Sequence, residues 1–535
     1  MNAPETLQIV LVLLGAVLLA MSAARRLPIP NPVMLVLAGL LVSAVPGLPT
    51  VRLDPDLVFF VFLPPVLWAA AYFTSLRDFR ANARPITLLA VGLVVATAGV
   101  VAVAVHTAGL GFGWPAAVAL GAIVAPPDAV SATSVVRALG VPRRIVTILE
   151  GESLVNDATA LILYRAAVLA MMAGSFNLAE SLLTFVFAAT VGVAIGAAIG
   201  WLAAFSRRHI EDVPTQTLLA LMAPYLAWIL GERLHASAVL ACVAGGLVVR
   251  RTVSGVDVAP SVRLQARPVW ELVLFAINGV LFLLIGLQLR GLVESVAPGG
   301  LPTLVGEGLV VSAVVIAIRL VWVPFFAWLP RRLSARLRER DPMPSWQTMF
   351  LIGWTGLRGI VSLAAAMALP LALPDGSPLP YRTEIVLITF VVIFCTLVLQ
   401  GLSLAPLIHW LELPVDDEAL REEVRARSHA AQSALDRLES LAGEPWADPR
   451  AIGALREQYQ DRLRRACEGA SNLLAERGAK RARFESLRAE RLALLELRNE
   501  DVISDEVLLT LEAELDLEAA RNGLAELRRA ETLAD

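Results

Sequence analysis

The sequence predicts an all-α polytopic membrane protein with a charged helical C-terminal region, and three observations carry that prediction. Of 535 residues, 57% are hydrophobic and only 17% charged, with a mean hydropathy of +0.68; a soluble chain of this size needs roughly 25% charge to cover its surface. Apolar stretches long enough to cross a bilayer, about 20 residues each, recur thirteen times. The basic residues between them fall in every second loop.

The thirteen stretches lie near 6–24, 32–48, 57–73, 86–108, 114–137, 144–172, 181–205, 215–231, 236–250, 269–289, 304–329, 347–371 and 384–411. The first has neither a basic leader nor an A-x-A cleavage site, so it reads as a retained span. One set of alternate loops holds Arg25, Arg26, Arg77, Arg80, Arg84, Arg137, Arg143, Arg144, Arg207, Arg208, Arg250, Arg251, Arg263, Arg267, Arg331, Arg332, Arg336, Arg338 and Arg340. The other set holds Arg52, Arg233, Arg290 and Arg382. Cytoplasmic loops are enriched in Arg and Lys, so the N-terminus is expected outside and the C-terminus in the cytoplasm.

Charge divides the chain. Residues 1–410 carry 26 Arg against 20 acids, and residues 411–535 carry 18 Arg and one Lys against 28 acids. A boundary between residues 1–413, a transmembrane domain, and 414–535, a cytoplasmic tail, follows. The tail, with runs such as Val507-Leu508-Leu509-Thr510-Leu511, has helical spacing. It reads as amphipathic helices that pack together or on a second subunit, with a regulatory sensor as the other reading.

Within the spans, ionisable residues are costly and therefore candidates for function. The fifth span contains Pro126, Pro127 and Asp128. Two prolines remove two backbone donors and leave the carbonyls of Ala122 and Ile123 without helical partners. Such a break persists in lipid only where it faces protein or water, and broken helices build the ion sites of transporters. Asp128 follows the break and either meets an ion or compensates the positive end of the next half-helix.

The sixth span carries Glu150, Glu152, Ser153, Asn156 and Asp157. Asp157 lies near its midpoint at 1.5 Å rise per residue. Ser153 and Asp157, at i and i+4, share a face, as do Glu152 and Asn156. Interhelical polar contacts account for a Ser and an Asn but not for three carboxylates within eight residues. Oxygen ligands of this kind suit a hard monovalent cation, with Asp157 the first functional candidate and Glu152 the second; Glu150 reads equally as the lining of an entrance funnel.

In the tenth span Asn278 and Gln288 read as interhelical contacts. The twelfth span holds Gly353, Gly356 and Gly359 around Arg358, a second irregular stretch. Arg358 keeps its charge and needs a counter-ion, for which Glu152 is the natural choice; Arg165 and Arg319 read as structural. Neither the three cysteines (Cys242, Cys395, Cys467) nor the five histidines (His106, His209, His235, His409, His429) have metal-ligand spacing. The cysteines read as buried apolar residues. A membrane hydrolase built on Ser153 and Glu152 is a third reading, against which stand the lack of a base such as His within reach and the lack of a metal motif.

Four segments resemble the monovalent cation/proton antiporter family, in its bacterial sodium/proton exchanger group with an Asn-Asp motif. They are Phe62-Leu63-Pro64-Pro65, Pro127-Asp128-Ala129-Val130, the run from Glu150 to Asp157, and Gly356-Leu357-Arg358-Gly359. The resemblance spans about residues 5–411 and leaves out the tail. It implies a homodimer of thirteen-span subunits, inverted repeats, and two unwound crossing helices. It also implies a multi-pass protein of the bacterial inner membrane that exchanges Na+, K+ or Li+ for H+, electroneutrally and without a cofactor, nucleic acid or enzymatic activity. The resemblance implies Asp157 as the ion- and proton-binding acid with Asn156 as companion, Ser153 as a ligand, Asp128 and the Pro127 carbonyl at the helix crossing, and Glu152 with Arg358 as a buried ion pair. Two departures leave the cation open: no acid follows Pro65 through Val66–Ala70, and Pro127 stands where many relatives have Thr. A cation channel with a cytoplasmic regulatory tail is the alternative reading.

Overall fold

The computed structural model describes residues 3–24, 29–44, 53–107, 111–173, 178–210, 212–253, 260–296, 299–413, 417–468, 473–500 and 502–521. Arg25, Arg26, Arg52, the side chains of Arg208, Arg263, Arg340 and Cys467, and the charge boundary at 413–414 lie outside the described residues. Two compact units are present, Met1–Val415 and Asp416–Asp535.

The first unit is helical throughout its main elements: α1 Ala3–Ala24, α2 Asn31–Ser43, α3 Leu57–Phe73, α4 Ala83–Thr107, α5 Trp114–Val124, α6 Ala129–Ala138, α7 Arg143–Ala173, α8 Leu178–His209, α9 Val213–Arg233, α10 Ala238–Val253, α11 Pro260–Glu294, α12 Leu301–Leu333, α13 Trp346–Trp354, α14 Ile360–Met367 and α15 Arg382–Leu411. Among the described residues seven helices contain a stretch long and apolar enough to cross a membrane, in α4, α7, α8, α9, α11, α12 and α15. The apolar stretches at 114–137 and 347–371 are not continuous helices. Each is two short helices around a non-helical segment, 125–128 between α5 and α6 and 355–359 between α13 and α14.

Small residues set the close helix contacts. A methyl on Gly39 of α2 would lie 2.2 Å from the Leu283 carbonyl oxygen of α11, and one on Gly286 of α11 would lie 2.2 Å from the Val36 carbonyl oxygen. Only glycine permits that mutual approach, the usual device where apolar burial against lipid supplies no drive. Around the breaks, buried Leu357, Ile360, Leu363 and Ala364 pack with Val36, Leu283, Ile285, Ile393 and Leu397. Ile123 and Val124 pack with Val311, Val315 and Ile385. The two non-helical segments are thus enclosed by protein, the setting in which irregular backbone survives at membrane depth.

The second unit has α16 Asp417–Leu441, α17 Pro449–Glu468, α18 Leu473–Asn499 and α19 Asp505–Arg521. Neighbours pair, α16 with α17 and α18 with α19. Leu487 of α18 and Leu508 of α19 are buried, and Arg483–Glu518 at 3.1 Å joins the same two helices. These exposed charges add little stability beside the apolar contacts.

Candidate functional site

Three polar layers lie along α7. In the first, Glu150 pairs with Arg137 of α6. In the second, buried Glu152 meets Arg319 of α12 in a two-pronged ion pair, with Arg319 Nη2 donating to Glu152 Oε2 at 2.7 Å and Nη1 to Oε1. Arg319 Nε donates to the Ile352 carbonyl oxygen at 3.1 Å. The partner of Glu152 is therefore Arg319 and not Arg358, which corrects the pairing expected from the sequence. Gly356 leaves room for the Arg319 side chain: a methyl there would lie 2.8 Å from Arg319 Cδ. Fork geometry and full burial make this the strong form of ion pair.

Arg358 instead binds backbone. Its Nε donates to the Val124 carbonyl oxygen at 2.6 Å, its Nη1 to the Gly356 carbonyl oxygen, and its N–H to Thr396 Oγ1 at 3.1 Å. The two breaks exchange hydrogen bonds. In a continuous helix the Asp128 N–H would serve the Val124 carbonyl; here it donates to the Leu357 carbonyl oxygen at 2.7 Å, and Arg358 supplies Val124. Asn156 Nδ2 likewise donates to the Pro127 carbonyl oxygen at 2.8 Å. Buried carbonyls freed by the breaks must find donors, and Arg358 and Asn156 are two that supply them.

The third layer is Asp157, buried and five residues beyond Glu152. A cavity of about 70 Å3 is lined by Pro127, Asp128, Ser153, Asp157, Asn278 and Ser362, with apolar walls from α3 and α11. Asp128 packs against backbone at Gly359, where a methyl would lie 2.5 Å from its Oδ2. Among the described residues no ion pair joins Asp157 to an arginine or lysine. Ser362 Oγ and Asn156 Oδ1 are buried without a hydrogen-bond partner.

The structure thus brings Asp157, Ser153, Asp128 and Pro127 to one cavity and turns the Asn156 amide to the break behind it. Arg319, structural by its place in the sequence, is here the partner of Glu152; Asn278, expected as an interhelical contact, also lines the cavity, and Ser362 lines it with no sign of that in the sequence. Only the cost of a buried arginine could have marked Arg319. A larger cavity, about 660 Å3, meets α7 at Ala158, Leu161 and Arg165 and borders Glu232 and His235; Arg165 and Glu232, both in its wall, pair at 2.7 Å. Among the described residues no His, Cys, Asp and Glu group has the make-up of a metal cluster. Carboxylates and hydroxyls around a space of one or two water volumes suit a small hard cation or a proton.

Comparison with known proteins bears on the family and the fold. Residues 10–410 match the family described as sodium/hydrogen exchanger, transmembrane. An uncharacterized Na+/H+ exchanger of Mycobacterium tuberculosis is 35% identical over 96% of this chain and 95% of its own. A sodium, potassium, lithium and rubidium/H+ antiporter of Bacillus pumilus is 29% identical over 93% of this chain and 75% of its own. The structure of a sodium proton antiporter from Methanocaldococcus jannaschii superimposes with a TM-score of 0.59 at 17% identity, over 76% of this chain and 99% of its own.

Proposed function

Because the chain belongs to the sodium/hydrogen exchanger family, a family of multi-pass membrane transporters, we propose that it exchanges Na+, K+ or Li+ for H+ by alternating access. Asp157 binds proton and cation in turn. One observation carries this reading: Asp157 shares a 70 Å3 cavity with Asp128 and Ser153, and among the described residues no ion pair joins it to an arginine or lysine. A buried carboxylate such as Asp157 needs a cation or a proton to offset its charge.

In this reading Asp157 and Ser153 hold the cation. Asp128 and the Pro127 carbonyl lie beside it, and Asn156 holds Pro127 in place by the bond already described. Glu152 is neutralised by Arg319 and stays outside the transport cycle. The non-helical segments 125–128 and 355–359 are the unwound parts of two crossing helices among about thirteen spans related as inverted repeats. The site moves by rocking of the helices that carry it against a dimerisation scaffold. The unit is a homodimer in the bacterial inner membrane, N-terminus outside, with residues 1–413 as the transport domain and 414–535 as the cytoplasmic tail. The loop arginines support that orientation. Electroneutral exchange is what the resemblance carried by the Asn156-Asp157 motif implies.

Purified protein in liposomes carrying a pH dye tests this. A Na+, K+ or Li+ gradient should drive counter-movement of H+ that is insensitive to an imposed voltage. Current without H+ movement would make the protein a channel, and full exchange by Asp157→Asn would remove Asp157 from the mechanism.

A further inference from the structure

A separate crevice of about 260 Å3 lies at the N-terminal end of α7, between α4, α7, α12 and α13. Its walls include Leu88, Leu89, Ile145, Ile148, Trp322 and Phe326. Its mouth is cationic. Arg331 is buried and spends its donors on the Asp341 carboxylate at 2.6 Å, the Asp341 carbonyl at 2.8 Å and the Ala327 carbonyl at 2.6 Å. Arg144 reaches the same carboxylate at 2.8 Å with half its side chain exposed, and Arg84 stands off at 3.9 Å. Three guanidiniums face one carboxylate, an excess of two positive charges over an apolar floor.

The surroundings mark the level of this mouth. On α12, next to Arg331, Arg332 stacks on exposed Trp328 with its guanidinium carbon 5.2 Å from the ring centre. Exposed Trp346, two residues from Pro344 of the crevice wall, meets exposed Trp410 at 6.0 Å. Tryptophans with arginines at helix ends gather at the headgroup level of a bilayer. A soluble anion would use the arginines and leave the apolar walls bare; an amphiphile uses both.

We propose that this crevice binds one anionic phospholipid of the adjoining leaflet, its phosphate on Arg84 and Arg144 and the upper part of one acyl chain against Trp322, Phe326 and Ile148. The wall includes Ile352, whose carbonyl oxygen accepts from Arg319 Nε at 3.1 Å. The lipid therefore touches the residue that anchors Arg319 and bears on the transport site through the Glu152–Arg319 pair. The lipid site stands on its own geometry, and only its effect on exchange rests on the function proposed above.

Native mass spectrometry of the full chain in detergent, with phosphatidylglycerol and phosphatidylcholine of matched chains, tests it. Wild-type protein should retain phosphatidylglycerol on the order of tenfold better, from the attraction of two basic charges near a surface. R84Q/R144Q should reduce that preference to about twofold or less, R84K/R144K should keep most of it, and R332Q, outside the crevice, should leave it unchanged. If R84Q/R144Q does not yield monodisperse protein, R144Q alone carries the test with about a threefold loss. D157N should lose exchange and keep the lipid, which separates this proposal from that of the transport site. A wild-type protein without preference, a preference that survives R84Q/R144Q or R144Q, or displacement of phosphatidylglycerol by equimolar oleate would overturn it.

Discussion

Glu152 and Asp157 are carboxylates five residues apart on one helix, both buried, and they live in opposite surroundings. Glu152 is closed by an arginine fork from α12, and Gly356 is bare so that the fork can arrive. Asp157 faces a small cavity beside a second carboxylate, with Gly359 bare so that Asp128 can approach. A carboxylate that the fold neutralises has nothing left to bind, and the proposed role of Asp157 rests on its lacking that neutralisation. Between the two acids the difference on this helix is one arginine: Arg319 meets Glu152, and among the described residues no arginine or lysine forms an ion pair with Asp157.

The largest effect should come from Asp157→Asn. Cation-dependent H+ movement in liposomes should fall to that of empty vesicles, while the unfolding midpoint stays at or above wild type because a buried charge has been removed. Removing one member of the other layer should do the reverse. Glu152→Ala or Arg319→Ala leaves an uncompensated buried charge and should cost about 3–5 kcal/mol in detergent unfolding. Replacing both by leucine should recover most of that loss, and no recovery would mean the pair does more than neutralise itself.

Gly359→Ala comes next. Its methyl would press on Asp128 Oδ2, and overpacking of this kind costs about 1–3 kcal/mol, with exchange reduced more than stability. Arg137→Gln should do least. Its pair with Glu150 has 58% of the arginine side chain exposed, so unfolding should shift by less than about 1 kcal/mol. A loss of exchange as deep as that of Asp157→Asn would put Glu150 in the ion's path.

How much of this was legible depended on whether the cause was local. The break after Val124 could be read from Pro126 and Pro127, because a missing N–H is a property of the residue itself. The partners of the break could not. The sequence drew attention to the carbonyls of Ala122 and Ile123, whereas Arg358 takes that of Val124, since the Asp128 N–H has gone to Leu357. Arg358 looked like the counter-ion of Glu152 because it stood in a glycine-rich stretch of a candidate span. Arg319 took that role because α12 passes beside Gly356, a contact between residues 167 apart along the chain from Glu152 to Arg319. Asn278 and Ser362 joined the cavity for the same reason: neither has a local sign of its neighbours.

The sequence by itself determined that this is a helical membrane protein with basic loops alternating, a charged C-terminal region and acids placed where lipid would make them expensive. Those are properties of single residues and of their spacing along one helix, and water and lipid sort them without reference to any partner. Only the tertiary structure decided which acid meets an arginine and which faces a cavity. An ion pair depends on two side chains converging within a few ångströms, and that convergence is set by how helices far apart in sequence pack against each other.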